Sequence, residues 1–111
     1  MDPNELDRRA AVLPTLVRAA GATARHAYAR RHLIDVRDKG VADFVTEADL
    51  AVQAQLYRAL AERFPDDAFF GEEGAEPAVD PARPTWVIDP IDGTSNFAHG
   101  RPGWCVSVAL R

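Results

Sequence analysis

The sequence predicts an α/β or α+β fold in which two N-terminal helices pack on one face of a largely antiparallel sheet. Two observations favour the helices: apolar residues recur every three or four positions over residues 4–31 and again up to Phe64. A third favours the sheet, because residues 68–71, 86–88 and 104–110 have the composition or alternation of strands. With 111 residues, 47% of them hydrophobic, the chain can form one small domain with its own core.

The first helical stretch runs from Asn4 to Arg31. Pro14 is expected to kink this helix or to mark a restart. His26 and His32 have no acidic or cysteine partner at ligand spacing, so both are interpreted as surface or helix-end residues. The predicted buried face consists of Leu6, Ala10, Leu13, Val17, Ala20, Ala24 and Ala27.

Residues 34–45 are predicted to form a short strand or hairpin, and a second helix is predicted to follow. Thr46 and Asp49 have the spacing of a capping box, and Pro65 should end the helix after Phe64. In this interpretation Asp49 bonds the backbone of Thr46. The predicted buried face consists of Leu50, Tyr57, Leu60, Ala61 and Phe64.

Acidic residues follow two of the predicted strands. Glu72 and Glu73 come directly after strand 68–71, and a loop is expected over 75–85. Strand 86–88 should stop at Pro90, with Asp89 and Asp92 at its end. Gly93 permits a tight turn, after which Thr94 or Ser95 can cap a short helix entering at Asn96.

Two carboxylates beside a helix start suggest a site for a divalent cation and a phosphate, hence phosphoryl chemistry. The alternative is a solvated turn, because Asp-Pro and Asp-Gly steps are common turn formers.

The last stretch combines a strand pattern with two residues that could carry chemistry. Cys105 lies between Trp104 and Val106, so it is expected to be a buried strand thiol rather than a nucleophile. As the only cysteine, it excludes an internal disulfide. His99 is interpreted as a surface histidine near the mouth of the site rather than a general acid.

The net charge of −4 is unevenly distributed. Residues 41–92 contain twelve acidic residues against three arginines, so the acidic region contains the candidate motifs, although a solvated acidic surface is an alternative. The absence of a basic stripe with interleaved aromatics argues against nucleic acid as a partner. The sequence shows neither a membrane-spanning run nor a signal-peptide pattern, so a cytoplasmic protein is expected.

Three motifs resemble those of the inositol monophosphatase family of magnesium-dependent, lithium-sensitive phosphomonoesterases. They are DPIDGTSNF at 89–97, GEEG at 71–74 and KGVADFVTEAD at 39–49. The resemblance covers roughly residues 35–110. It implies that residues 1–111 are the N-terminal part of the family's domain, the first half of a layered α-β-α-β-α fold, with the C-terminal half absent.

The resemblance also implies a site for Mg²⁺. Glu72, Asp89 and the Ile91 carbonyl would hold one ion, and Asp89 and Asp92 a second, whose later aspartate ligand is absent. Glu72, Thr94 and Asp49 would activate the attacking water. For Asp49, this implied role is an alternative to the capping interpretation, in which its carboxylate bonds the backbone of Thr46. The amides of Gly93 and Thr94 would hold the phosphate, and the implied substrate-binding residues are Glu72, Ile91, Asp92, Gly93 and Thr94.

The predicted function is magnesium-dependent hydrolysis of a small phosphate monoester, similar to inositol monophosphate, by metal-activated water. Its substrate would be a polyol or amino-alcohol phosphate, and a homodimer is possible. One alternative within the family is a histidinol-phosphate phosphatase. An alternative of another class is a catalytically incomplete fragment that binds metal or another subunit through its final strand.

Overall fold

The computed structural model describes residues 1–30, 40–71 and 82–111. The elements are α1 (Pro3–Ala29), α2 (Gly40–Arg63), β1 (Ala68–Gly71), β2 (Thr85–Asp92), α3 (Thr94–Ala98) and β3 (Cys105–Leu110). Within these ranges the sheet has the order β1-β2-β3, with β1 parallel to β2 and β2 antiparallel to β3. The predicted fold class is confirmed, and the sheet is mixed.

Helix α1 begins with a reciprocal cap. The amide of Glu5 donates to the Asp2 carboxylate at 2.8 Å, and the amide of Asp2 donates to the Glu5 carboxylate at 2.9 Å. The helix is continuous through Pro14, so the alternative of a restart there is wrong. Its 27 residues extend about 40 Å, longer than the sheet beneath it.

The buried stripe of α1 begins later than the sequence predicts. Leu6 is 49% exposed and Ala10 is exposed, because the first turns of this long helix lie beyond the core. The buried residues of α1 are Arg9, Leu16, Ala20 and Ala24.

Helix α2 begins at Gly40, so the strand predicted for 40–45 is wrong, and Thr46 lies inside the helix rather than at its start. Tertiary packing accounts for the difference: Val45 and Ala48, one turn apart, pack in the same apolar cluster. The rest of the predicted strand, residues 34–39, lies outside the described residues, as does His32.

The buried face of α2 follows a spacing of four through Ala48, Val52, Leu56 and Leu60. Leu50 is 57% exposed and Ala61 is exposed, so these two members of the predicted face are wrong. Tyr57 is half-buried, with its ring 4.6 Å from that of Phe69.

Both long helices cover one face of the sheet. The main core combines residues from α1, α2 and β2, with Phe69 of β1 and the alternate residues of β3 packed against it. Its buried members are Leu16, Ala20, Ala24, Val52, Leu56, Leu60, Phe64, Trp86 and Ile88.

The alternation predicted for the last strand is confirmed in β3. Val106, Val108 and Leu110 are half-buried under the helices. Cys105 is exposed, so the prediction of a buried thiol is wrong. Cys105, Ser107 and Ala109 alternate with the core residues of β3 and point to the other face of the sheet, where no described element covers the thiol.

Among the described residues, no helix combines the length and apolar character needed to cross a membrane.

Candidate active site

The acidic end of β2 contains a bulge. The strand continues through Pro90 to Asp92, so its predicted end at Pro90 is wrong. Asp89 pairs with Ser107 and Asp92 pairs with Cys105, with a register shift between them. Two residues of β2 thus oppose one of β3, as in a β-bulge, which accommodates a proline that has no N–H to donate.

The bulge determines where the two carboxylates lie. In a regular strand, residues three apart point to opposite faces of the sheet. Their partners Ser107 and Cys105 are two apart and therefore share a face, and cross-strand partners lie on the same face. Asp89 and Asp92 thus lie together on the sheet face away from the long helices, while Pro90 and Ile91 are both buried.

A second apolar cluster joins this strand end to two helices. Ile91 is 1% exposed and packs with Ala48 of α2 and Phe97 of α3. Asp49 follows Ala48 directly, so the cluster brings this carboxylate to the same end of the sheet. One carboxylate oxygen of Asp49 and one of Asp89 are buried.

The turn into α3 depends on a glycine in the left-handed region. Gly93 has φ 89° and ψ 45° and is the N-cap residue, without a side-chain cap hydrogen bond. Helix α3 starts at Thr94, so capping by Thr94 or Ser95 and entry at Asn96 are wrong. The backbone places these residues inside the helix because Gly93 alone makes the turn, and the Phe97 amide donates to the Gly93 carbonyl at 3.0 Å.

Residues without a predicted site role hold this turn in place. The Asn96 side-chain amide donates to the Gly103 carbonyl at 3.0 Å, and that carbonyl lies 2.6 Å from where a Cβ on Gly93 would be. Tyr28 of α1 lies beneath the turn, with its ring 5.6 Å from Phe97. Its position four residues after Ala24, on the apolar face of α1, was the one available sequence signal for this contact.

The remaining predicted site residues are distributed as follows. Thr94 and Asp92 are exposed beside Gly93. Glu72 and Glu73 lie outside the described residues. Gly71 pairs with Ile88 in the sheet, and these two residues directly precede Glu72 and Asp89 in the sequence. His99 and His26 are exposed, as predicted, and His99 Nδ1 lies 2.7 Å from the Ser95 carbonyl oxygen.

The donor set suits a hard cation. Within residues 1–30, 40–71 and 82–111, no three His, Cys, Asp or Glu side chains form a group that could hold a metal ion. However, Mg²⁺ is commonly bound through one or two carboxylates, with waters and substrate phosphates as its other ligands. Asp89 and Asp92 on one face fit this requirement, and Ile91, which lies between them in the sequence, offers a backbone carbonyl.

The mixed sheet under two helices, with two aspartates and a glycine turn at the end of β2, is an α/β arrangement with donors suited to a metal ion and a phosphate group. The profile of the inositol monophosphatase family matches residues 5–111. The chain therefore belongs to the inositol monophosphatase family, a family of phosphomonoesterases that are typically magnesium-dependent.

Individual relatives agree with this assignment. Inositol monophosphatase 2 of Solanum lycopersicum is 42% identical over 96 residues, covering 82% of this chain and 35% of the relative. Nus factor SuhB of Pseudomonas aeruginosa is 41% identical over 96 residues, covering 85% of this chain and 35% of the relative. The chain thus spans about a third of the length of these curated relatives.

Solved structures show the same partial overlap. Extragenic suppressor protein suhB from Bartonella henselae superimposes with a TM-score of 0.75 at 31% identity, covering 94% of this chain and 40% of that one. Inositol monophosphatase-II from Staphylococcus aureus gives a TM-score of 0.75 at 26% identity, covering 94% and 38%.

Proposed function

We propose that this chain supplies the metal- and phosphate-binding part of a phosphomonoesterase that hydrolyses small phosphate monoesters similar to inositol monophosphate. The observation that carries the proposal is the bulge of β2, which sets Asp89 and Asp92 on one sheet face directly before the Gly93 turn. Family membership of the whole segment 5–111 supports the same reaction class.

In this proposal, Glu72, Asp89 and the Ile91 carbonyl would hold one Mg²⁺ ion, and Asp89 and Asp92 would hold a second. A magnesium ion supplies Lewis-acid stabilisation of the charge that develops on phosphoryl oxygens. The buried oxygen of Asp89 favours a fixed ligand position, because its neighbours Ile88, Pro90 and Ile91 are buried. Asp92 is exposed and can meet substrate as well as metal.

The proton-handling residues of the proposal are Glu72, Thr94 and Asp49. A Thr94 hydroxyl that donates to the Asp49 carboxylate can accept a hydrogen bond from the attacking water and so orient it. Support comes from the Ala48–Phe97 contact, which joins the helices that carry Asp49 and Thr94. The amides of Gly93 and Thr94 would donate to phosphate oxygens at the start of α3.

The proposed substrates are polyol or amino-alcohol phosphates, with inositol monophosphate first and histidinol phosphate as the alternative. A cytoplasmic location, usual in the family, stays a prediction.

The decisive experiment measures magnesium-dependent phosphate release by the 111-residue chain. Inositol 1-phosphate, histidinol phosphate and an adenosine bisphosphate are offered separately. Asp89→Asn removes a predicted ligand charge, and Asp66→Asn makes the same change at an exposed position outside the candidate site. Any turnover should fall at least about a hundredfold in Asp89→Asn and be kept in Asp66→Asn, and Mg²⁺ affinity should follow the same order.

Equal turnover in the Asp89→Asn variant and the parent chain would contradict the assignment of this carboxylate. Absence of turnover in the parent chain, with Mg²⁺ affinity that depends on Asp89, would instead favour the incomplete-fragment alternative. That second candidate has its own structural support, because β3 forms one edge of the sheet within the described ranges.

A further inference from the structure

A second concave site lies at the end of the sheet opposite Asp89 and Asp92. It is a cavity of about 440 Å³, lined by the start of α1, the end of α2 and the segments that lead into β1 and β2. Its charged lining residues include four arginines, Arg8, Arg9, Arg63 and Arg83. None of the family motifs contributes to it, and the proposed hydrolysis does not use it.

The floor of the cavity is a neutral, fixed ion pair. Arg9 donates to both carboxylate oxygens of Asp67, through Nη2 at 2.7 Å and Nε at 2.8 Å. Trp86 Nε1 also donates to Asp67, at 2.9 Å. The charge of Asp67 is therefore already compensated, and the Arg9 guanidinium lies 4.6 Å from the centre of the Phe64 ring. A ligand would meet a rigid surface here.

The rim carries the cations that remain. Arg83 is held by backbone carbonyls, with Nε donating to Asp66 O at 2.6 Å and Nη2 to Asp67 O at 3.5 Å. Arg63 Nη1 donates to the carbonyl of Ala59 at 3.3 Å. Carbonyls orient a guanidinium without neutralising it, so both side chains keep their charge and most of their N–H donors.

The acidic residues around the rim do not cancel these cations. None of Arg8, Arg63 and Arg83 forms an ion pair within 4.0 Å with a carboxylate of residues 1–30, 40–71 or 82–111. Glu5 and Asp66 are the other acids of the lining and keep their negative charges, so the three rim arginines outnumber the rim carboxylates by one. This positive rim stands out on a chain whose net charge is −4.

We propose that this cavity binds the phosphate group of a small phosphorylated anion, at a site separate from the candidate active site. Guanidinium groups are planar and donate pairs of hydrogen bonds to phosphate oxygens. Three such groups suit a ligand with a dianionic phosphate better than a ligand with a single carboxylate. The cavity volume lies in the range of small-molecule sites.

The test is a titration of the 111-residue chain with inorganic phosphate, followed by amide and arginine side-chain NMR signals. EDTA keeps divalent metals away from the Asp89–Asp92 end, and sodium chloride at matched ionic strength is the reference. We expect saturable shifts at Arg8, Arg63, Asp66 and Arg83. Arg63→Gln and Arg83→Gln should each weaken binding about fivefold, the loss of one exposed charged contact.

Arg58→Gln is the matched control, because Arg58 is exposed on α2 and does not line the cavity; its affinity should equal that of the parent chain. Circular dichroism verifies that each variant is folded, and Arg8→Gln replaces any that is not. Three outcomes would each overturn the proposal. The shifts could be confined to Gly93 and Thr94, chloride could reproduce them, or the folded arginine variants could bind phosphate with unchanged affinity. Asp89→Asn should leave phosphate binding at this cavity intact. A failure of the cavity proposal can therefore be distinguished from a failure of the proposed phosphatase function.

Discussion

Gly93 joins β2 to α3 directly after the two aspartates of the candidate site. Its φ of 89° lies in the region that side chains with a Cβ rarely adopt, and the Gly103 carbonyl lies only 2.6 Å from where that Cβ would be. The neighbour is backbone, held in turn by Asn96, so it cannot move aside as a flexible side chain could. The glycine is thus required by both its dihedral angles and its surroundings.

We therefore expect Gly93→Ala to lower the free energy of unfolding by about 2 kcal/mol or more. Urea denaturation followed by circular dichroism measures the change. Gly21→Ala is the control, because Gly21 lies within α1 and a Cβ there meets nothing within 4 Å. That change should stabilise the chain by about 0.5–1 kcal/mol. Equal stability of the two variants would show that the turn forms without a positive φ at residue 93.

At the scale of elements, the Arg9–Asp67 pair attaches α1 to the segment that enters β1. Both side chains are nearly inaccessible to water, and their two N–H···O bonds are 2.7 and 2.8 Å long. Hydrogen bonding to Asp67, with added coulombic attraction, raises the pKa of the Arg9 guanidinium above its ordinary value. Because the shift is upward, this contribution to stability is present in the neutral range and is lost as the pH rises through the raised pKa of Arg9.

Breaking this pair leaves one buried charge uncompensated. We expect Asp67→Asn to destabilise the chain by about 3–5 kcal/mol, since Arg9 cannot become neutral to relieve the cost. Asp66→Asn, at the adjacent exposed position, should change stability by no more than about 0.5 kcal/mol. Chemical denaturation at neutral pH measures both.

The double variant Arg9→Met with Asp67→Asn extends this test. It should recover part of the loss, because the uncompensated charge is then absent. Arg9→Met alone completes the cycle, and a loss in the double variant equal to the sum of the two single losses would mean that the two side chains act independently.

At the scale of the whole molecule, local patterns predicted the fold class because most of its signals are local. The alternation of Val106, Val108 and Leu110 identified β3, and the acids after β1 and β2 pointed to one end of the sheet. The helix spacing also predicted that Ala20 and Ala24 are buried. These signals depend on residues close together in the chain, so a sequence pattern can carry them.

The differences from prediction come from contacts between distant residues. Arg9 is buried because Asp67, 58 residues later, neutralises it, and helical spacing alone places such a residue at the surface. The early start of α2 follows from packing of Val45 against Ile91 and Phe97. The continuation of β2 past Pro90 requires the bulge opposite β3, and this bulge also places Asp89 and Asp92 on one face.

Strand β3 has both an open face and an unpaired edge within the residues that the structure describes. Within the described ranges β3 pairs with β2 alone, and Cys105, Ser107 and Ala109 are exposed on the face opposite the long helices. An edge strand of this kind presents backbone donors and acceptors to a second chain. The exposed side chains of β3 itself, Cys105, Ser107 and Ala109, are short and uncharged and do not oppose such pairing along the edge.

We therefore expect the 111-residue chain to self-associate through β3, with a weight-average mass that rises with concentration in sedimentation velocity. Ala109→Lys places a charge on the open face and should restore the monomer, since lysine on an edge strand opposes pairing. Ala61→Lys adds the same charge at an exposed position of α2, away from the sheet, and should leave association unchanged. A parent chain that stays monomeric at every concentration, or equal effects of the two lysines, would exclude β3 as the contact. Association that only Ala109→Lys abolishes would identify this strand as the contact surface.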